Sequence, residues 1–291
     1  MVELHPLVQL IDEMDLLGPE NWNRRHVLLA DAVSPQSFVS ERDVLRILDQ
    51  PLLRSPYFSV VKEGVWARPD LITQERSING VTTPGFANAE GIRDAMALGA
   101  TVKLNQMEDW HRPTRDLVQQ LESRTPSEVK AYVFLTPSEN TGMRPHRDGS
   151  HVLAIQLSGS KDWRLYGEPG EADARAGLVD VDVDKPNYKF TMHPGDVLYL
   201  PHGYVHAPSA TDENSLHITL TMTEPAPLDL LQGLVAGLPS HRPHLWKEWP
   251  RLRNEDRVAA VIEALESKLM TEDDHELVGA ALATMRNRTQ K

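Results

Sequence analysis

The chain has 291 residues, 40% of them hydrophobic and 25% charged, an ordinary soluble composition with room for one large domain or two modest ones. Cysteine is absent, which excludes disulfides, thiol nucleophiles, zinc fingers and iron–sulfur ligation and leaves His, Asp and Glu to hold any metal. The formal net charge of −12 argues against broad nucleic-acid binding and makes a basic peptide or protein the more natural charged partner.

The first residues, MVELHPLVQLIDEMDLLG, carry Glu3, Asp12, Glu13 and Asp15 and lack the basic start of a secretory signal. With no cysteine and no apolar run of about 18 residues, the expectation is a cytoplasmic protein without a membrane span. Residues 1–128 mix helices and short strands. Leu7, Leu10, Ile11 and Met14 have helical spacing, and Ser40 precedes ERDVLRIL as an N-cap with acids in the first turn. YFSVV (57–61) is strand-like, GIRDAMALG (91–99) is a helix stopped by Gly99, ATVKLN (100–105) is extended, and RPTRDLVQQLES (112–123) is helical.

The pattern changes over 129–225. VKAYVFLTP, HVLAIQLSG, KDWRLYG, YKFTMHPG, DVLYLPHG and SLHITLTMT are short β-branched and aromatic segments separated by Gly and Pro. Such spacing predicts a β-sandwich or barrel. Residues 168–187 are polar and predict a long connection. After Pro225 helical periodicity returns, with Val258, Val261, Ile262, Leu265 and Leu269 in one stripe and Leu277, Val278, Ala281, Leu282 and Met285 in another. GLPSHRPHLWKEWPRLRN precedes them as a linker.

His146 and Asp148 stand two apart, so on an extended segment both point to one side. Imidazole and carboxylate, without sulfur, suit iron, manganese or zinc, and two His with one carboxylate leave three coordination positions open, the arrangement used by non-haem Fe(II) oxygenases. His193, His202, His206 and His217 are the possible third donors. The stretch GDVLYLPHGYVH favours His206, placed to begin a strand after a Pro–Gly bend that holds His202. An H-x-D pair alone also occurs by chance on a polar strand.

PHRDGSHVLAIQLSGSKDWRLY, GDVLYLPHGYVHAP and SLHITLTM, in that order, resemble the JmjC-type ribosomal oxygenases, a cupin-like group of Fe(II)/2-oxoglutarate hydroxylases. GATVKLNQMEDWHRPTRDLVQQLE and VFLTPSENTGMRPH resemble the same family, so the likeness is clear over about residues 90–225. It implies a mainly β core with flanking helices, an α+β fold built on a double-stranded β-helix. It implies an amino-terminal extension over 1–128, the core over 129–225, and a helical region over 226–291 that serves dimerisation or simply packs on the core. The residues after Pro225 are expected to suffice for a helical dimerisation element and to be short for the winged-helix region that family members also carry.

The resemblance assigns His146, Asp148 and His206 to Fe(II). It assigns Lys161, fifteen residues after His146, to the distal carboxylate of 2-oxoglutarate. Read without the family, Lys161 is a solvated lysine at a GSKD hairpin tip. Thr221 matches a family hydroxyl near the same carboxylate, and Tyr132 replaces a family Asn. The implied activity is an Fe(II)-, 2-oxoglutarate- and O2-dependent dioxygenase that hydroxylates an amino-acid side chain of a protein or peptide. Alternatives are a hydroxylase of a small molecule or free amino acid, a lysine demethylase, and a metal-binding cupin-like regulatory protein. Trp110, His111 and Arg112 are expected near the mouth, or Trp110 as helix-entry packing; His151 is expected at the mouth or solvated, and Trp163 in the core.

Overall fold

The computed structural model describes residues 4–169, 175–236, 253–271 and 273–289. Two compact units emerge: residues 1–123 with 129–223, and residues 124–128 with 224–291.

The first unit opens with helix α1 (Pro6–Met14) and strand β1 (Val27–Leu29), followed by α2 (Glu41–Leu48). Ser40 starts α2 with a reciprocal capping box: its side chain accepts from the Asp43 N–H, and its own N–H donates to the Asp43 carboxylate. Strands β2 (Phe58–Lys62) and β3 (Val65–Trp66), helix α3 (Pro69–Ile72), the hairpin of β4 (Thr73–Ile78) and β5 (Val81–Ala87), α4 (Ala89–Ala97) and β6 (Thr101–Leu104) come next. Gly99, at φ +90°, ends the turn after α4 as expected. Short helix α5 (Met107–Trp110) and α6 (Arg112–Glu122) complete the helical layer.

The β-rich stretch supplies β7 (Glu128–Thr136), β8 (His146–Arg147), β9 (His151–Ser158), β10 (Lys161–Tyr166), β11 (Gly177–Leu178), β12 (Tyr188–Met192), β13 (Val197–Leu200), β14 (Val205–Ala210) and β15 (Ser215–Thr223). The polar 168–187 connection therefore contains β11, which pairs with β8. Eight strands form one antiparallel sheet in the order β1-β13-β9-β15-β7-β6-β2-β3, and five form another in the order β11-β8-β14-β10-β12. Strands β1, β2, β3 and β6, all from the first 128 residues, thus share a sheet with β7.

Alternation along the strands divides the unit into layers. Val129, Ala131, Val133 and Leu135 of β7, Leu153 and Ile155 of β9, and Ile218 and Leu220 of β15 are buried in a cluster with Leu7 and Ile11 of α1, Val44 of α2, Ile92 of α4 and Leu117 of α6. This face of the large sheet is covered by helices. The opposite face meets the small sheet: Val152, Ala154, Leu198 and Leu200 pack with Trp163, Leu165 and Met192. Two facing antiparallel sheets with apolar residues between them form the double-stranded β-helix, here with helices on one side, an α+β fold. That apolar filling occupies only part of the interior, and the remainder is lined by polar side chains at the same alternating positions.

In the second unit, α7 (Pro227–Ala236), α8 (Asn254–Thr271) and α9 (Asp274–Thr289) are helical as their periodicity predicts. Gly233 of α7 lies so close to Ala281 of α9 that a Cβ would fall 2.7 Å from its backbone nitrogen. The linker preceding α8 lies outside the described residues over 237–252. Among the described residues no helix is long and apolar enough to cross a membrane.

Candidate metal and cosubstrate centre

Strand pairing brings the sequence-distant histidines together. His146 of β8 stands opposite His206 of β14 in the ladder, and their ring centroids lie 4.3 Å apart. Asp148 follows two residues after His146 and places a carboxylate oxygen 3.6 Å from His206 Nε2. One donor atom from each of the three residues lies within 4.8 Å of the others.

Both imidazoles are held in the same tautomer. His146 Nδ1 donates to the Arg144 carbonyl at 2.9 Å, and His206 Nδ1 donates to the Tyr204 carbonyl at 2.9 Å. A carbonyl only accepts, so Nδ1 carries the proton and Nε2 presents a lone pair. Trp163 stacks on the His206 ring, with centroids 5.6 Å apart and planes 27° apart. Burial, and then His206, lower the pKa of His146 to about 4 against the opposing pull of Asp148. The ring is therefore neutral at physiological pH. Two Nε2 atoms and a carboxylate fit a divalent transition metal on one face of its coordination sphere.

These three residues open into a cavity of about 200 Å³. Its far end is polar and buried. Lys161, the first residue of β10, is only 3% exposed rather than solvated at a tip, because the turn spans Gly159 and Ser160 and the strand begins at the lysine. Lys161 Nζ donates to Thr136 Oγ1 and to His217 Nδ1, each at 3.1 Å. Burial lowers its pKa to about 7. His217 stacks flat on Phe134 at 4.7 Å, and burial followed by the Lys161 charge holds its pKa well below the usual histidine range. His217 is thus a neutral acceptor beside Lys161, away from the His146–Asp148–His206 cluster.

Thr219 of β15, Thr101 and Lys103 of β6, and Phe134 and Thr136 of β7 complete the wall, with Val61, Trp66, Met143 and Arg147 also lining the cavity. Thr221 and Tyr132 share strand faces with Thr219 and Phe134, each displaced by two residues, and neither lines the cavity. The Thr221 hydroxyl bonds to the Lys130 carbonyl at 3.4 Å, and the Lys103 ammonium lies 4.2 Å from the Tyr132 ring centre. Thr219 and Thr136 are legible in retrospect as same-face strand neighbours of Thr221 and Tyr132.

The other expectations resolve individually. His202 sits in the turn before β14. His151 is neither solvated nor at the mouth: it is fully buried, stacks on Trp22 at 3.8 Å and bonds through Nδ1 to the Tyr199 hydroxyl at 3.0 Å. Alternation sends it to the face with Tyr199, opposite that of Val152. Trp110 packs edge-on against Tyr57 beside the helical core, and Trp163 is buried as expected while also lining the cavity.

Residues 104–230 match the JmjC domain family. Ribosomal oxygenase 2 of Bos taurus is 32% identical over 47% of this chain and 31% of its own length. Ribosomal oxygenase 2 of Mus musculus is 28% identical over 81% of this chain and 56% of its own. A Dictyostelium discoideum protein named bifunctional lysine-specific demethylase and histidyl-hydroxylase NO66 is 32% identical over 42% of this chain and 25% of its own. The chain thus spans between a quarter and a little over half of these relatives. In fold it is similar to Escherichia coli YcfD, with TM-score 0.57 and 17% identity over 90% of this chain and 69% of that one. A YcfD structure described as a ribosomal oxygenase in complex with cobalt and 2-oxoglutarate gives TM-score 0.53 and 18% identity over 91% of this chain and 68% of that one. Domain match, relatives and fold point the same way: residues 104–230 are similar to the JmjC domain, and the chain is similar to proteins named ribosomal oxygenases.

Proposed function

We propose that the chain is an Fe(II)- and 2-oxoglutarate-dependent dioxygenase that hydroxylates an amino-acid side chain in a protein or peptide. The observation that carries this reading is one cavity with a converging His146–Asp148–His206 donor set and, at its buried end, the Lys161 ammonium. His146 and His206 offer Nε2, and Asp148 offers its carboxylate, as the iron ligands. Lys161 receives the distal carboxylate of 2-oxoglutarate, a charge-assisted bond strengthened by its desolvated setting. Thr136 and Thr219 line that cavity, and we assign the neutral cosubstrate contacts to them in place of Thr221 and Tyr132. Ferrous iron, when held there, would supply O2 activation coupled to decarboxylation of 2-oxoglutarate.

The protein's own contribution is orientation and exclusion. The backbone carbonyls of Arg144 and Tyr204 fix the imidazole planes, Trp163 shields His206, and Phe134 holds His217 as an acceptor for Lys161. A protein substrate is supported by the names of the relatives, and the chain's negative charge supports a basic partner. We further propose residues 129–225 as the catalytic core, 1–128 as its extension and 226–291 as a homodimer-forming region of a cytoplasmic protein. The test is calorimetric titration of 2-oxoglutarate into Mn(II)-loaded protein. One site per chain is expected, absent without metal and absent in Lys161→Met; metal-independent binding unaffected by Lys161→Met sinks the assignment.

A further inference from the structure

Lys103 stands out among the charged groups of the cavity. On β6 it alternates with the buried Val102 and Leu104, so its side chain enters the interior while theirs face the helices. Its ladder partner is Phe134, and its ammonium rests against two ring faces, 4.2 Å from the centre of Tyr132 and 5.3 Å from that of Phe134. Among the described residues it makes no hydrogen bond or ion pair. Ring faces satisfy part of a cation's electrostatic demand but accept none of its three N–H groups in ordinary hydrogen bonds. A second cation, Arg147, also lines the cavity, with Nε buried and without a hydrogen-bond partner among the described residues.

The charges of the wall are unbalanced. Among the described residues that line it, Lys103, Arg147 and Lys161 carry basic groups, and Asp148 is the only carboxylate. In the proposed function Asp148 faces the metal and Lys161 faces the cosubstrate. Lys103 and Arg147 then remain, with no further acid among the described lining residues to receive a guanidinium or methylammonium group. A cationic side chain entering there would lose hydration and meet like charge, whereas an acceptor would meet the unfilled N–H groups of Lys103.

Resting on the proposed function, we propose that Lys103 is a specificity-determining residue that makes this cavity select a substrate side chain bearing an uncharged or anionic hydrogen-bond acceptor and reject cationic side chains. Basic residues elsewhere in the substrate, outside the cavity, are compatible with this choice. Carboxylate, carboxamide and unprotonated imidazole are the accepted chemistries. Arginine, lysine and methylated lysine are the rejected ones.

The experiment enriches a random-centre peptide library on immobilised full-length protein carrying Mn(II) and 2-oxoglutarate, in parallel with Lys103→Glu and Lys103→Met. Wild type is expected to enrich Asp, Asn or His at the selected position and to deplete Arg, Lys and trimethyl-lysine at least tenfold. Lys103→Glu should reverse the charge preference, and Lys103→Met should flatten it. Enrichment of cationic residues by wild type, a profile unchanged in Lys103→Glu, or no residue preference at all would overturn the proposal. Calorimetric 2-oxoglutarate binding by each variant is the control: retained binding shows that the variant folds. Failure of wild type itself to bind 2-oxoglutarate tells against the oxygenase reading, while the library profile judges Lys103 separately.

Discussion

At the scale of single residues, the proposed role of the buried Lys161 ammonium connects proton binding to cosubstrate binding. Its pKa in the protein is about 7, below the ordinary lysine value, because burial penalises the charge. A carboxylate beside it favours the charged form. Above pH 7 the incoming carboxylate must therefore bring a proton with it. The apparent affinity for 2-oxoglutarate is expected to fall about tenfold per pH unit above that point, measurable by calorimetry in buffers of different ionisation enthalpy. A flat affinity between pH 7 and 9 would contradict this role. His146 carries the opposite linkage: its pKa is lowered to about 4, so the unfolded chain takes up the proton first as pH falls. Its stabilising contribution is full above the unfolded value of 6.5 and is lost on acidification toward 4. Metal-free protein should show a Tm that declines across that window, and His146→Gln should lessen the decline. Alternation made the His146–Asp148 pair legible in the sequence, and the GYVH stretch made His206 legible. Lys161 was legible only through family likeness, because its GSKD context is that of an exposed turn, and burial depends on the β15 and β7 side chains packed over it. Lys103 was silent for a related reason: one lysine in a short apolar strand is indistinguishable by pattern from a solvent-facing one.

At the scale of elements, the turn from β9 to β10 sets the position of Lys161. Gly159 has φ +58°, and a Cβ there would collide with the Asn214 carbonyl. Gly159→Ala is therefore expected to cost more than about 1 kcal/mol and to displace Lys161. Thermal unfolding with 2-oxoglutarate titration checks both effects, and unchanged affinity would show that the turn does not position the lysine. Trp163 joins the two sheets and covers His206. Replacing it with Ala should lower stability by about 3–5 kcal/mol, read by urea denaturation. The expected helices formed largely where apolar spacing and caps placed them, as Ser40 and Gly99 illustrate. Strands β3, β8 and β11 have two residues each, too few to show a period, and exist because longer neighbours supply their partners. The His146–His206 pairing depends on residues 60 positions apart, and local pattern carries no register over that separation.

At the scale of the molecule, the second unit leaves Leu228, Leu231 and Val235 of α7 and Val258 and Ile262 of α8 exposed. If these helices carry the proposed dimer contact, light scattering will report twice the chain mass, and Val258→Glu with Ile262→Glu will give a monomer. A wild-type monomer at micromolar concentration would exclude it. The two long helices were legible from their stripes, but a stripe alone does not distinguish an interface from intramolecular packing. The central claim concerns the first unit, where two facing sheets gather the His146–Asp148–His206 donor set and the buried Lys161 into one cavity. NMR of 2-oxoglutarate incubated aerobically with the ferrous protein tests it most directly. The account predicts slow conversion to succinate without added peptide, abolished in Asp148→Ala and His146→Ala. Absence of succinate from folded, ferrous-loaded wild type, or undiminished formation by Asp148→Ala, would contradict it.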